Sequence, residues 1–337
     1  MERINKSRKA RLSKKGNKKK KPNWFLRIMS FMIIGIVVFG AYIAYNIFEN
    51  FGSAYHEIDR GGKSDKREEA VDAKDPVSFL VMGIDEQEIR NDVGRPDVLM
   101  VVTVNPQENS AKMLSIPRDT LTYISAIGKE DKINYSYSLA EVQQEGSGVQ
   151  STVETVEELL DIPIDYYVKL NFDAFVEIVD TFGGVDVEVE RAFTQNAYDG
   201  GRKYHFEAGP AHLNGEQALA YVRMRKEWGG DAGRNKRQRE VLRQLMQKSS
   251  NIANVTKIDD VLDNLGRNVL MNVNASDLLK FATQYGNIPS ENIETLTLEG
   301  TDVMRDRSYY ILEEGEADRV GNLLRAHLNL PVTTMPA

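Results

Sequence analysis

Residues 28–48 read IMSFMIIGIVVFGAYIAYNIF, 21 consecutive positions without a charge. About 20 apolar residues at 1.5 Å rise form a helix that spans a hydrocarbon layer of ~30 Å. Trp24 precedes the run, and Tyr42 and Tyr45 lie near its far end, where interfacial aromatics belong. No small-residue cleavage site follows, so the run reads as a retained transmembrane helix, not a removed signal peptide. The next stretch, 49–75, is charged and weakly apolar and reads as a stalk, helical at first and then flexible.

From PVSFLVMGID onward the pattern is that of a folded domain. Consecutive apolar residues Phe79 to Met82, closed by Gly83, predict a buried strand. DVLMVVTVNP (97–106) and SAKMLSIPRD (110–119) predict two more, and the short QENS between them predicts a hairpin. STVETVEELLDI spaces Val153, Val156, Leu159 and Leu160 as a helix, with Ser151 and Glu154 as a capping box. DYYVKLN is strand-like. FDAFVEIVDTF puts Phe172, Phe175, Val176 and Val179 on one helical face, stopped at Gly183-Gly184. VDVEVE alternates as a half-exposed strand, and GEQALAYVRMR and RNKRQREVLRQLMQK are helical. Two short helices, a strand IETLTL and a last helix near 309–328 complete the chain. Alternating strands and helices predict an α/β domain over 76–330, with a mixed central sheet covered by helices.

Charge divides the chain further. Residues 1–27 hold twelve Lys/Arg and one Glu, whereas 49–337 hold 31 basic and 49 acidic residues, a net of −18 within a total of −7. By the positive-inside rule the basic tail stays in the cytoplasm and the C-terminal domain lies outside the cell. Cysteine is absent, which excludes disulfides, thiol chemistry and Cys-ligated metals. His56, His205, His212 and His327 show no metal-ligand spacing, and no Walker loop or G-x-S-x-G occurs.

Against this acidic background RMRKEWGGDAGRNKRQRE (223–240) stands out. On a helix, Arg234, Gln238, Val241 and Leu245 share one face. Val241 and Leu245 must face the core, so Arg234 and Gln238 are predicted to point inward. An inward arginine is costly unless an anion meets it. Arg223 and Arg225 precede by one short loop, and Asp231 either caps the helix or orients an arginine. Lys226, Lys236, Arg237 and Arg239 lie off the stripe and are expected in solvent. A second constellation is MGIDEQEIRNDVGRPD, with Asp85 at one strand end, Asp97 at the start of the next, and Arg95 beside it. Two carboxylates without His or Cys suit Mg²⁺, which keeps waters and takes phosphate oxygens. SIPRD adds Arg118 and Asp119 just past a strand end, a favoured ligand position. Together, Arg95, Arg118, Arg223, Arg225 and Arg234 with the carboxylate pair resemble a clamp for two linked phosphates.

FLVMGID, RPDVLMVVTVNP, MLSIPRDT, KINYSY, VDTFGGVDVEV, LNGEQALAYVRMR and GDAGRNKRQREVL follow in this order, and over roughly 76–250 the chain resembles the LytR-CpsA-Psr family of cell-wall phosphotransferases. The resemblance implies an α/β/α layering whose interior holds a lipid chain. It implies transfer of an anionic glycopolymer, teichoic acid or capsule-like, from a polyprenyl pyrophosphate carrier to peptidoglycan. Carried over by motif, Mg²⁺ falls on Asp85 and Asp97, and phosphate binding on Arg95, Arg118, Arg223 and Arg225. Asp231, Arg234 and Gln238 complete the substrate site. Asp85, Asp97, Arg118, Arg223 and Arg225 become the candidate catalytic residues, and no general base is singled out. Pro96 stands where the family more often has Ser or Thr. Two other readings share these residues: a membrane-anchored polyprenyl-pyrophosphate phosphatase or pyrophosphatase, and a nucleic-acid-binding regulator. The acidic balance and outside location speak against nucleic acid as a partner.

Overall fold

The first strand of the domain already explains its layering, because its apolar residues alternate between two cores. In β1 (Val77–Ile84), Leu80, Met82 and Ile84 enter one core, and Val77, Phe79 and Val81 enter another on the opposite face. β2 (Pro96–Asn105) and β3 (Ser110–Ser115) repeat the alternation. A strand buried on both faces needs an apolar residue at nearly every position, as the sequence supplies. The structure, a computed structural model, describes residues 54–85, 93–225, 230–249, 268–285 and 288–333. The chain divides into two units, 1–45 and 46–337, and every described residue belongs to the second. The transmembrane helix expected at 28–48 therefore lies outside the described residues. Among these, no helix is long and apolar enough to cross a membrane.

A hairpin, β4 (Leu121–Ile124) and β5 (Lys129–Lys132), leads into α1 (Tyr135–Gln143) and α2 (Gly148–Leu160). β6 (Tyr166–Leu170) then joins β1 in parallel. α3 (Phe172–Thr181), β7 (Val185–Val189), the hairpin β8 (Phe193–Asn196) and β9 (Lys203–Phe206), β10 (Gly209–Leu213), α4 (Gly215–Arg223) and part of α5 (Gly230–Ser249) form a lobe around a third core. β11 (Val269–Met271), α6 (Ala275–Tyr285), β12 (Ile293–Leu296), the hairpin β13 (Gly300–Met304) and β14 (Ser308–Leu312), and α7 (Glu316–His327) follow. The central sheet runs β11-β6-β1-β2-β3-β12. β1–β2, β2–β3 and β6–β11 are antiparallel, and β1–β6 and β3–β12 parallel, so the sheet is mixed, as the sequence predicts. α1, α2 and α7 supply residues to one face, and α5 and α6 to the other.

β7 alternates buried and exposed residues as the sequence predicts, and it pairs with β10, outside the central sheet. Three expectations need correction. α2 begins at Gly148, one turn before the capping box read at Ser151. Ser151 instead donates its N–H to Ser147 O inside the first turn (3.0 Å). Residues 308–312 form a strand, because Tyr309 packs inward while β14 hydrogen-bonds β13; the last helix starts only after Gly315, at φ 74°. Finally, the part of the stalk seen here, 54–75, is packed on the domain. His56 N–H bonds Met271 O (2.8 Å), Ile58 enters a core, and Arg67 pairs with Asp165 at 2.7 Å, with both side chains buried. Composition suggested a solvated segment, but its charges have partners nearly a hundred residues away.

Candidate active site

Antiparallel pairing of β1 and β2 brings the end of one strand beside the beginning of the other. Ile84 registers with Pro96 after an irregularity at Gly83/Ile84, so Asp85 and Asp97 share one end of the sheet. Pro96 occupies the first position of β2, where a missing N–H is tolerated. After β3, Ile116 still bonds Leu99 O (2.9 Å), and a turn closed by Thr120 N to Pro117 O (3.0 Å) aims Arg118 back at β2. Arg118 Nη1 donates to Asp97, while its Nε lies 3.8 Å from Asp119, which pairs with Lys132 at 2.9 Å. Burial works against the Arg118 charge, but Asp97, then Asp119 and Asp231, outweigh it and hold its pKa above the ordinary value. Asp85, Arg95, Asp97, Arg118, Asp119, Lys132, Asn134 and Tyr135 line a cleft of about 720 Å³, partly open to solvent. Arg95 is exposed at its rim, with Nη1 3.1 Å from the Tyr135 hydroxyl and its guanidinium 5.3 Å from that ring's centre.

The basic segment approaches through two helices. A capping box between Asn214 and Gln217 starts α4. At its first residue, Gly215, a Cβ would overlap the Val176 carbonyl, so glycine permits the close contact of α4 with α3. Arg223 ends α4, with its guanidinium 5.3 Å from the Phe172 ring centre and 5.0 Å from that of Tyr198. Arg225 grips Asp231 through two bonds, 2.9 and 3.2 Å. Asp231 also lies 3.3 Å from Arg234 Nη2, so of its two expected roles it orients arginines. Arg234 is only 4% exposed. Burial lowers its pKa, with the Arg225 and Arg118 charges acting the same way against Asp231 and Asp97. This mutual influence ties the basic segment to the carboxylate end of the sheet. Gln238 is half-buried one turn farther along α5.

Two neighbours of these residues depart from expectation. Arg237, expected in solvent, is buried and donates to Tyr221 O (3.1 Å) and Met224 O at the end of α4. It caps carbonyls left without helical partners. Arg239, also expected in solvent, is half-buried and bonds Ser115 Oγ at 3.1 Å. Lys236 does face water, paired with Glu190, and Lys226 lies outside the described residues. The sequence reading missed Tyr198, Lys132, Asn134 and Tyr135. The last three stood inside KINYSY, whereas Tyr198 lies in a turn with no periodic signal.

The chemistry of the cleft follows from its unmet hydrogen bonds. Among the described residues, Arg118 Nε, Arg223 Nη1, Arg234 Nε and the Asn134 amide oxygen are buried without a hydrogen-bond partner. Each such group costs about 1–3 kcal/mol, more when charged. Three of them are guanidinium donors, which an anion with several acceptor oxygens would satisfy. Asp85, Asp97 and the Asn134 oxygen are hard donors that fit Mg²⁺. Among the described residues no three acidic, His or Cys side chains cluster, so phosphate oxygens or water must complete such a shell.

A sequence profile of the LytR_cpsA_psr family matches residues 41–326. A relative from Halalkalibacterium halodurans, named polyisoprenyl-teichoic acid–peptidoglycan teichoic acid transferase TagU, is 41% identical over 308 residues, 90% of this chain and 96% of its own. The crystal structure of B. subtilis TagV superposes with a TM-score of 0.66 at 37% identity, covering 77% of this chain and 99% of that one. The LytR-CPS2A-psr family protein YwtF (TagT), solved with bound octaprenyl pyrophosphate lipid, superposes at 0.63 with 30% identity, covering 82% and 100%. With the profile match and the TagU relative both spanning most of its length, this chain belongs to the LytR_cpsA_psr family.

Proposed function

We propose that this protein transfers an anionic cell-wall glycopolymer, of the teichoic acid kind, from a polyprenyl pyrophosphate carrier to a sugar hydroxyl of peptidoglycan. The observation that carries this reading is the set of buried guanidinium donors on Arg118, Arg223 and Arg234: Arg118 pairs with strand-end Asp97, Arg223 shares Tyr198 with strand-end Asp85, and Arg234 feels the charges of Arg118 and Asp97. The named activity of the TagU relative and the octaprenyl pyrophosphate bound to the TagT protein support it. Arg118, Arg223 and Arg234 hold the two phosphates, while exposed Arg95 and Arg225 guide the polymer side. Asp85 and Asp97 are the residues that would hold Mg²⁺, which when bound neutralises phosphoryl oxygens. Asp97 also keeps Arg118 in place. The acceptor oxygen attacks the phosphorus nearer the polymer; a new P–O bond forms, and the bond to the carrier phosphate breaks. Polyprenyl phosphate leaves, the acceptor proton is released, and a phosphodiester remains. Positioning and electrostatics carry such a transfer without a covalent enzyme intermediate. A lipid-borne donor and a wall acceptor also require a membrane-anchored domain outside the cell, in keeping with the apolar run 28–48 and its basic flank.

The test is polymer attachment by the full chain in detergent, using a polyprenyl-pyrophosphate-linked polymer, peptidoglycan and Mg²⁺. Arg118→Ala is expected to lower transfer by roughly 10²-fold or more with the fold intact, and Asp85→Ala to weaken the Mg²⁺ dependence. Wild-type transfer by Arg118→Ala refutes the clamp. Equal polymer release with and without peptidoglycan would replace the transferase by a pyrophosphate hydrolase.

A further inference from the structure

The turn between β8 and β9 reaches the cleft from the third-core lobe. Its base is anchored: Phe193 stacks on Phe206 at 4.6 Å, and both lie about a ring's width from Tyr221 (6.1 and 6.0 Å). The turn is closed by Ala197 N to Arg202 O (2.7 Å) and Gly200 N to Ala197 O (3.1 Å). On this turn the hydroxyl and the ring of Tyr198 make contacts of different kinds. Its hydroxyl donates to Asp85 Oδ1 at 3.2 Å. Its ring lies 5.0 Å from the Arg223 guanidinium and meets Phe172 edge-on at 4.8 Å.

We propose that Tyr198 is a positioning residue that couples the strand-end carboxylate Asp85 to the phosphate-binding Arg223, its hydroxyl orienting the one and its ring holding the other. The proposal rests on the donor-site reading above. The hydroxyl occupies one lone pair of Asp85 Oδ1 and turns the carboxylate; the other lone pairs stay available to a cation. Outer hydrogen bonds of this kind orient metal ligands and typically change metal affinity about 10- to 100-fold. Arg223 ends α4 with Nη1 buried and without a hydrogen-bond partner among the described residues. Two aromatic rings stabilise its charge without occupying its N–H groups, as an acidic partner would. The guanidinium is therefore fixed in place and available for phosphate oxygens.

Hydroxyl and ring are separable by substitution. The full chain in detergent is titrated calorimetrically with Mg²⁺ alone, and with farnesyl pyrophosphate in EDTA. Tyr198→Phe keeps the ring and is expected to weaken Mg²⁺ binding about 10-fold while leaving farnesyl pyrophosphate affinity within about twofold of wild type. Tyr198→Leu is expected to weaken Mg²⁺ equally and to lower farnesyl pyrophosphate affinity about 5- to 10-fold as the aromatic contact is lost. A purely structural role would move both affinities together with the thermal midpoint. Tyr198→Phe with wild-type Mg²⁺ affinity overturns the proposal, and so does Tyr198→Leu with wild-type pyrophosphate affinity. A wild-type chain that binds neither probe overturns the donor-site reading and this one together. Unchanged variants beside a binding wild type overturn only the role of Tyr198.

Discussion

Arg234→Met separates what the cleft does for the fold from what it does for the substrate. Arg234 is 4% exposed, and its only described acidic contact is Asp231 at 3.3 Å, with Nε unsatisfied. Asp231 does not depend on it, because Arg225 holds both carboxylate oxygens at 2.9 and 3.2 Å. Methionine thus removes a buried charge without stranding its partner. Replacing buried ion pairs by apolar groups of similar size is often neutral or stabilises by about 1–4 kcal/mol, and the usual cost of removing one partner alone does not arise here because Arg225 keeps Asp231 paired. For a domain of this size each kcal/mol raises the unfolding midpoint by about 2–4 °C. Binding should move the other way. Truncating one side of a buried charged hydrogen-bonded contact costs about 2–5 kcal/mol, roughly 30- to several-thousand-fold in affinity at 1.4 kcal/mol per decade. Thermal unfolding of the full chain and calorimetric titration with a polyprenyl pyrophosphate measure the two quantities on one preparation. A variant that melts several degrees lower and binds the lipid unchanged would refute the reasoning, since Arg234 would then be a structural brace.

Arg67→Ala leaves Asp165 buried with only neutral donors, the Ser78 N–H and hydroxyl, and should cost about 3–5 kcal/mol in urea unfolding; a loss under 1 kcal/mol would free the 54–75 segment from any role in the fold. Arg237→Ala removes the donors to Tyr221 O and Met224 O and should cost about 2–4 kcal/mol, with lipid affinity unchanged once folded; the same titration checks that separation. Buried His327 lies between Thr103 (2.7 Å) and Ser110 (2.9 Å), and burial lowers its pKa from 6.5 to about 4. Between these values the unfolded chain binds more protons. Stability from this group is therefore complete above pH 6.5 and lost as pH falls toward 4, by up to about 3 kcal/mol. His327→Gln should flatten that slope in unfolding curves taken at successive pH values, and an unaltered slope would assign it to other groups.

The parts of the site legible in sequence are those whose placement follows from local periodicity. Asp85 and Asp97 flank strands joined by a single connection, so their convergence needs only the β1–β2 pairing. Arg234 shares the inward stripe of Val241 on α5, and the phase of one helix sufficed to bury it. Arg237 was read as lying off that stripe, yet it stands four residues before Val241 and also turns inward, and nothing local shows that α4 ends there with carbonyls to satisfy. Arg239 was misplaced for the same reason, since its partner Ser115 lies 124 positions away.

The two-sided sheet, its covering helices and the inward arginine were determined by the sequence itself, because hydrophobic burial acts on every strand and helix through its own repeat. The tertiary structure alone decided that 54–75 packs on the domain, that Arg237 and Arg239 serve neighbouring elements, and that Tyr198 touches both Asp85 and Arg223. Each of these depends on a polar contact between distant segments, and a hydrogen bond has no periodicity in the chain that makes it. Burial can be read one element at a time, whereas the partner of a buried charge exists only once the elements have met.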